Sequence, residues 1–335
     1  MPRYWSLLSA VPLVFIAFFT QAADAFDVYE WETLQQADKI YSKNIRLIWE
    51  EDLLGRLTVK ERQAAGNVKL NVPLRGVHNS LFDYYSSPRT REITIPILSV
   101  KFFDDLAIAA AWLNRQECAL DPVSDYVGML RYQGSSLSSD GRFPPPQQAL
   151  GIPQRALDDA IVNDVSGKAL KSAIYFLMAH ELGHVIFQHK PYDMIDGQEA
   201  QAQEMQADDF ALNIMRRISV PPVGMVLFFM MCSRFEPAPG DFPNLQEYEN
   251  FVRRTSTHPL TSRRLIAISR GIRSNVDAFC RGQKDPTLWQ ARIIKIADDI
   301  EAIGNGLDDR QIRELQKYRS ETVKLSDLRT TCRSR

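Results

Sequence analysis

The chain has 335 residues, of which 45% are hydrophobic and 24% charged. This length and composition fit one large folded domain and exclude a chain too polar to bury a core. The formal net charge of −1 excludes the strongly basic character that is typical of nucleic-acid-binding proteins, so we expect no nucleic-acid partner.

The first 25 residues have the order of a secretory signal peptide. Arg3 gives a positive flank, an apolar run extends from Trp5 to Phe19, and Ala23 and Ala25 stand at the two positions that a signal peptidase reads. The run is shorter than the roughly 20 residues of a membrane-spanning helix. We therefore expect residues 1–25 to be cleaved and the mature chain to be exported to the periplasm. A retained segment would instead anchor the chain in the membrane facing the periplasm, and secretion beyond the periplasm stays open.

Four cysteines follow the predicted cleavage site, and none of them forms a Cys-x-x-Cys pair of the kind found in zinc sites. An even number in an exported chain is typical of disulfides, so we expect two, with three pairings open. The alternative is that some are buried free thiols, above all Cys232, which lies in an apolar run. The four are Cys118, Cys232, Cys280 and Cys332.

The first half of the chain predicts helices around one strand. Residues 27–65 have apolar side chains at three- and four-residue spacing, which predicts amphipathic helix. Residues 92–100 favour a strand, and Pro96 places that strand at the edge of its sheet because proline cannot donate a ladder hydrogen bond. An apolar helix is predicted from Phe102 to Leu113. Residues 134–153 are rich in Ser, Gly and Pro and predict a loop, either a plain surface loop or a lid over a cleft.

The second half predicts mostly helices. Residues 167–189 form one long helix that is apolar on most sides and belongs in a core. Residues 198–216 form a second helix. Residues 218–232 are apolar but too short to cross a bilayer, so we expect them in the core; a surface that touches a membrane or grips the substrate is the alternative. Residues 285–335 form a charged helical extension with a packed apolar stripe and, over residues 310–335, a solvated end.

The segment from His180 to His184 has the pattern H-E-x-x-H. Residues four apart lie on one face of a helix, so the two imidazoles can bind one metal ion. Glu181 points about 100° further round the helix and can reach a metal-bound water without binding the metal. The pattern predicts a zinc ion with Glu181 as the general base.

A catalytic zinc ion needs a third protein ligand and one open position. Glu204 lies on the next predicted helix, and Asp208 follows on the same face, where it can accept the second N–H of a metal-bound histidine. Glu199 is a weaker candidate because Gln203 stands four residues after it and lacks the charge. His189 is expected to complement the helix C-terminus rather than bind the metal.

These motifs resemble those of the gluzincin metallopeptidases. The segments His180–His184 and Glu204–Asp208 are similar to those of the CAAX prenyl protease and HtpX-like family, and closer to its soluble exported members. The segment Ser256–Pro259, with Arg264 after it, is a further match. The resemblance covers about residues 85–270. It implies an α+β, mainly α, zincin-like fold, with an active-site helix and a ligand helix beside a small antiparallel sheet that has an edge strand.

The resemblance implies that residues 26–284 form a zinc metalloendopeptidase domain acting on proteins or peptides of the cell envelope, with one zinc ion per chain. It also implies that His258 acts near the metal, on the oxyanion or the substrate, although the same residues could simply start a helix. Arg264 is expected to pair with an acid near the site. An insert at about residues 114–166 departs from the family pattern.

Two further expectations concern the substrate and the alternative function. An extended peptide could add itself beside the predicted edge strand at Ile93–Val100. The alternative to a protease is an exported zinc-binding chaperone or assembly factor whose cleavage activity is latent or lost. The intact Glu181 speaks against loss, because a purely structural metal site has no use for a general base.

Overall fold

The computed structural model describes residues 28–77, 80–137, 142–237, 239–254 and 260–329. The predicted signal peptide, His258 and Cys332 lie outside these residues. Most of the described chain is helical, with three short strands, in agreement with the predicted α+β, mainly α, class. The strands are β1 (Lys69–Asn71), β2 (Tyr85–Ser87) and β3 (Glu92–Thr94). The helices are α1 (Trp31–Leu47), α2 (Val59–Ala65), α3 (Ile97–Arg115), α4 (Asp121–Leu137), α5 (Pro146–Ala149), α6 (Ala160–Ile186), α7 (Gly197–Arg217), α8 (Met225–Phe235), α9 (Leu245–Arg254), α10 (Ser262–Arg273), α11 (Val276–Cys280), α12 (Pro286–Asp308) and α13 (Arg310–Thr322).

The three strands form a mixed sheet in the order β1-β3-β2. Strand β3 pairs in parallel with β1, where Leu70 lies opposite Ile93, and antiparallel with β2, where Ser86 lies opposite Ile93. The prediction of an antiparallel sheet is therefore correct for the pairing of β2 with β3 and wrong for the pairing of β1 with β3.

The prediction of an edge strand at residues 92–100 is wrong. The strand ends at Thr94 and lies at the centre of the sheet, and α3 begins at Ile97. Pro96 is the extended residue that precedes the first turn of α3, a place where its missing N–H costs no hydrogen bond. A short apolar run is compatible with a buried helix as well as with a strand, and here the run belongs to a buried helix.

The helix predicted at residues 27–65 is broken into several pieces. Helix α1 passes into a π-helical turn at Ile48–Leu53, and a new helix, α2, starts after Thr58. The Thr58 hydroxyl accepts a hydrogen bond from the Glu61 N–H at 3.3 Å, while the Glu61 carboxylate accepts one from the Thr58 N–H at 2.7 Å. This reciprocal cap starts a separate helix within the range that periodicity predicted to be helical.

The loop predicted at residues 134–153 is largely structured. Helix α4 covers its first residues and α5 lies within it. Phe143 is 1% exposed and packs against Tyr126, whose hydroxyl donates to the carbonyl oxygen of Pro144 at 2.8 Å. The second half of the predicted loop is therefore packed into the core.

Helix α6 is the central helix of the core. Asp159 caps it by accepting hydrogen bonds from the N–H groups of Ile161 at 2.8 Å and Val162 at 3.2 Å. Every residue from Ser172 to Ile186 is buried, because α3, α7 and β2 pack around this half of the helix. The prediction of a long helix at residues 167–189 is confirmed, although the helix starts seven residues earlier, at Ala160.

The other predicted helices are confirmed with small changes of bounds. Helix α7 corresponds to the second predicted helix, and α3 contains the helix predicted at Phe102–Leu113. The apolar stretch at residues 218–232 leads into α8, whose Met225 and Phe229 are fully buried or nearly so, as expected for the core.

The helices after Asp285 pack on the same core. Ile293 and Ile300 of α12 are fully buried, and α12 lies along α10. Residues 310–335 were expected to be solvated, and this is wrong for part of α13. The buried Arg313 donates to the carbonyl oxygens of Ser233 at 2.9 Å and Glu236 at 2.8 Å.

The expectation of two disulfides is wrong, because Cys232 and Cys280 carry free thiols. Of the four cysteines in the chain, this leaves Cys118 and Cys332 as the pair that could form a bridge. Since Cys332 lies outside the described residues, the pairing of Cys118 stays open. Among the described residues, no helix combines the length and the apolar character needed to cross a bilayer.

Candidate metal centre

Three helices bring the predicted site residues together. Helix α6 carries His180, Glu181 and His184. Helix α7 carries Glu204 and Asp208, and α10 carries Arg264. All of them are buried, with exposed fractions from 0% to 5%. These residues are His180, Glu181, His184, Glu204, Asp208 and Arg264.

Helices α6 and α7 approach closely because Gly183 lies between the histidines. A Cβ atom at Gly183 would stand 3.2 Å from the Cα of Ala207 and 3.3 Å from the Cδ1 of Phe210. These contacts are tight, so a side chain there would press α7 away from α6. The glycine therefore allows the α7 acids to come within reach of the histidines.

The donor atoms of His180, His184 and Glu204 converge on one point. The two Nε2 atoms are 3.1 Å apart, and Glu204 places Oε2 3.4 Å from the Nε2 of His180 and Oε1 3.3 Å from the Nε2 of His184. Ligands about 2.0–2.1 Å from a tetrahedral metal ion are about 3.3 Å apart. The buried group could therefore hold a metal ion, and two imidazoles with one carboxylate are a donor set of catalytic zinc sites.

Asp208 and Arg264 hold this group in place. The Nδ1 of His180 lies 2.9 Å from Asp208 Oδ1. The Arg264 guanidinium donates from Nε to Asp208 Oδ2 at 2.8 Å and from Nη2 to Asp208 Oδ1 at 2.9 Å, and its Nη1 lies 2.6 Å from Glu204 Oε2. The arginine thus fixes both carboxylates of α7 by a planar fork.

The two histidines have opposite electrostatic surroundings. Burial by itself would lower the pKa of His180, but the carboxylates of Glu204 and Asp208 outweigh it and raise that pKa to about 10. Burial dominates at His184 and lowers its pKa to about 4. Because imidazole binds a metal in its neutral form, the raised pKa of His180 opposes metal binding and the lowered pKa of His184 favours it.

Glu181 lies beside the donor group and is not part of it. Its Oε2 accepts a hydrogen bond of 2.7 Å from the Ser86 hydroxyl, which comes from strand β2. Within the described residues, β2 lies at an edge of the sheet and packs against α6. This edge strand therefore runs next to the candidate base.

The turn between α6 and α7 adds two aromatic rings. The Tyr192 hydroxyl donates to Glu204 Oε1. His189 stays outside the donor group, as predicted, but its side chain does not complement the helix C-terminus. Its Nδ1 instead lies 2.8 Å from the Nδ1 of His184, and its Nε2 lies 3.0 Å from the Oε1 of Gln206.

Sequence reasoning missed Ser86, Tyr192 and the contact of His189. Ser86 lies on a three-residue strand far along the chain from Glu181, and no local pattern connects the two. The rejection of Glu199 agrees with the structure, since this exposed residue pairs with Lys190 at 2.9 Å. His258 lies outside the described residues.

The comparisons with known proteins give one match. The family model described as Peptidase U49 matches residues 142–282, less than half of the chain. No curated protein and no solved structure matches. The matched range contains the three donor residues together with Glu181, and the match indicates a peptidase family without showing the CAAX prenyl protease and HtpX-like family. Over residues 142–282 the chain is therefore similar to a family of peptidases.

Proposed function

We propose that the chain is a zinc-dependent endopeptidase. The observation that carries the proposal is the spacing of the three buried donor atoms of His180, His184 and Glu204, which fits a tetrahedral ion, with Glu181 beside them. A bound zinc ion would supply Lewis acidity, which polarises a carbonyl group and lowers the pKa of water. The peptidase match supports hydrolysis of peptide bonds as the reaction.

In this proposal Glu181 is the general base. It accepts a proton from the attacking water and later passes it to the leaving amine. The hydrogen bond from Ser86 holds Oε2 in place and leaves Oε1 to receive the proton. Burial of the carboxylate at 2% exposure keeps bulk water from competing for that position.

We propose that an extended substrate lies along β2 rather than along Ile93–Val100, because β3 is the central strand and the residues after it are helical. An extended peptide that runs beside an edge strand can bind through its backbone, and β2 lies at an edge of the sheet within the described residues. The Ser86 contact with Glu181 then brings the scissile bond of such a peptide close to the base.

Several finer expectations remain proposals. They are the gluzincin likeness, a role of His258 at the oxyanion or the substrate, cell-envelope substrates, and export to the periplasm by cleavage after residue 25. N-terminal sequencing of the mature protein tests the export proposal: a start at Met1 would contradict it.

The test combines metal analysis with a casein cleavage assay on the mature protein and on Glu181→Gln. We expect one zinc ion per chain in both proteins, with chelator-sensitive cleavage only in the wild type, because the amide cannot accept the proton. Full activity in Glu181→Gln would refute the assignment of the base. A wild-type chain without bound zinc would refute the proposed function.

The burial of the site favours one alternative, a zinc-binding chaperone or assembly factor with latent activity. Glu204 is fully buried and Glu181 nearly so, as they would be in a site that is closed to substrate. Zinc in both proteins without cleavage in either would support this alternative. Deletion of residues 134–150 is a poor test of latency, because it removes Phe143 and Leu150 from the core.

A further inference from the structure

The end of α6 folds His189 back onto His184. Gln188 adopts a left-handed conformation with φ of 52°, and the N–H of His189 donates to the carbonyl oxygen of His184 at 3.1 Å. This bond closes a Schellman-type turn at the helix C-terminus. The turn sets the imidazole of His189 against the imidazole of His184, with 2.8 Å between their Nδ1 atoms.

The proposed metal position, taken with these contacts, sets the proton positions along this line. The Nε2 of His184 faces the candidate metal position, so its ring proton must be on Nδ1. The Nδ1 of His189 must then be the acceptor, which puts the His189 proton on Nε2. That nitrogen lies 3.0 Å from the Oε1 of Gln206, an acceptor, so the assignment is consistent to the end of the chain of bonds.

We propose that His189 is a positioning residue that orients His184 for metal binding by accepting the Nδ1–H hydrogen bond. This inference rests on the proposed zinc function. A histidine ligand usually donates its second N–H to a carboxylate, a carbonyl or water, as His180 can to Asp208. Here a neutral ring takes that place for His184, and Gln206 fixes the orientation of that ring in turn.

A purely structural role for His189 would rest on packing. The residue is 8% exposed, and its ring stacks on Phe187 with 5.7 Å between the ring centroids. Two variants separate the roles. His189→Asn keeps an acceptor, because Oδ1 occupies the place of the histidine Nδ1, but it loses the stacked ring. His189→Phe keeps the stacked ring and loses the acceptor.

The experiment measures zinc affinity by chelator competition for the full mature chain and both variants, with thermal unfolding of the metal-free proteins as a check of folding. We expect His189→Asn to stay within about threefold of the wild type and His189→Phe to lose about 10- to 100-fold. The visible spectrum of the cobalt-substituted protein should change only in His189→Phe. Equal affinities, or a larger loss in His189→Asn, would overturn the inference.

Gln206→Leu gives a second test that does not depend on a core substitution, because Gln206 is exposed. We expect a smaller loss of zinc affinity in the wild-type background and none in the His189→Asn background, since asparagine lacks the Nε2–H that Gln206 accepts. The same loss in both backgrounds would contradict the inference. Failure of the wild type to bind zinc would refute the proposed function itself, whereas tight binding that is indifferent to His189 would refute only this inference.

Discussion

Arg264 is a buried cation that faces two buried carboxylates, Glu204 and Asp208. Replacement by methionine should lower the free energy of unfolding of the metal-free protein by about 3–5 kcal/mol, because it leaves buried charge without its partner. Denaturant unfolding followed by circular dichroism measures this. Arg273→Met on the same helix is the matched control: it breaks two solvent-accessible ion pairs, to Asp298 and Glu301, and should change stability far less. Equal losses would show that burial of the pair is not the cause.

Ser86 holds the candidate base through a single hydrogen bond. We expect Ser86→Ala to lower kcat about tenfold, since loss of a hydrogen bond to a charged group costs about 1.5–3 kcal/mol. Zinc content should stay the same, and Ser86→Thr should retain activity. Ser87→Ala is the control on the same strand, because its hydroxyl accepts from the N–H of Thr90 and does not reach Glu181. A peptidase assay with zinc analysis decides, and unchanged kcat in Ser86→Ala would contradict the prediction.

For single residues, the sequence predicted correctly the contacts that follow from spacing along one helix. His180 and His184 share a helix, as do Glu204 and Asp208, so their spacing alone put each pair on one face. The position of Ser86 depends on how a distant strand packs on α6, and sequence spacing carries no such information. His189 was misjudged because a left-handed residue, Gln188, turns the chain back, and a non-glycine residue rarely signals that turn.

Helices α6 and α8 meet at Gly224. A Cβ atom there would stand 2.0 Å from the carbonyl oxygen of Ala169, which is backbone and cannot move aside alone. Gly224→Ala should therefore lower the free energy of unfolding by about 1–3 kcal/mol or more. Gly167→Ala in α6 is the opposite case, with open space around the new methyl group, and should stabilise by about 0.5–1 kcal/mol. Thermal unfolding measures both, and a shift of the same sign in the two variants would contradict the contact geometry.

The long helices α6 and α7 were predictable from their residue patterns, but the start of α6 was not, because its cap at Asp159 lies outside the apolar run from which the helix was predicted. The structure of residues 92–100 was not predictable, because a short apolar run is equally compatible with a strand and with a buried helix. Its true structure depends on the rest of the fold: β1 and β2 pair on either side of β3, and the core surrounds α3.

The whole molecule has one continuous hydrophobic core that extends into the helices after Asp285. A chain that ends at Lys284 should fail to fold, because the buried Leu265 and Ile268 of α10 would lose the side chains of α12 that pack near them. Near-ultraviolet circular dichroism and solubility measure this. A chain that ends at Asp308 keeps α12 and should retain more structure. A folded, zinc-binding product ending at Lys284 would contradict the prediction.

The glycine between the two histidines gives the H-E-x-x-H segment a stricter requirement than its formula states. The formula leaves Leu182 and Gly183 unspecified, yet Leu182 is fully buried, and a Cβ atom at Gly183 would stand only 3.2 Å from the Cα of Ala207. An engineer who grafts these ligands onto another pair of helices would need to copy the narrow interaxial gap as well as the ligands. In this protein the candidate donors come from both α6 and α7, so they can meet only if the two helices also pack closely at Gly183.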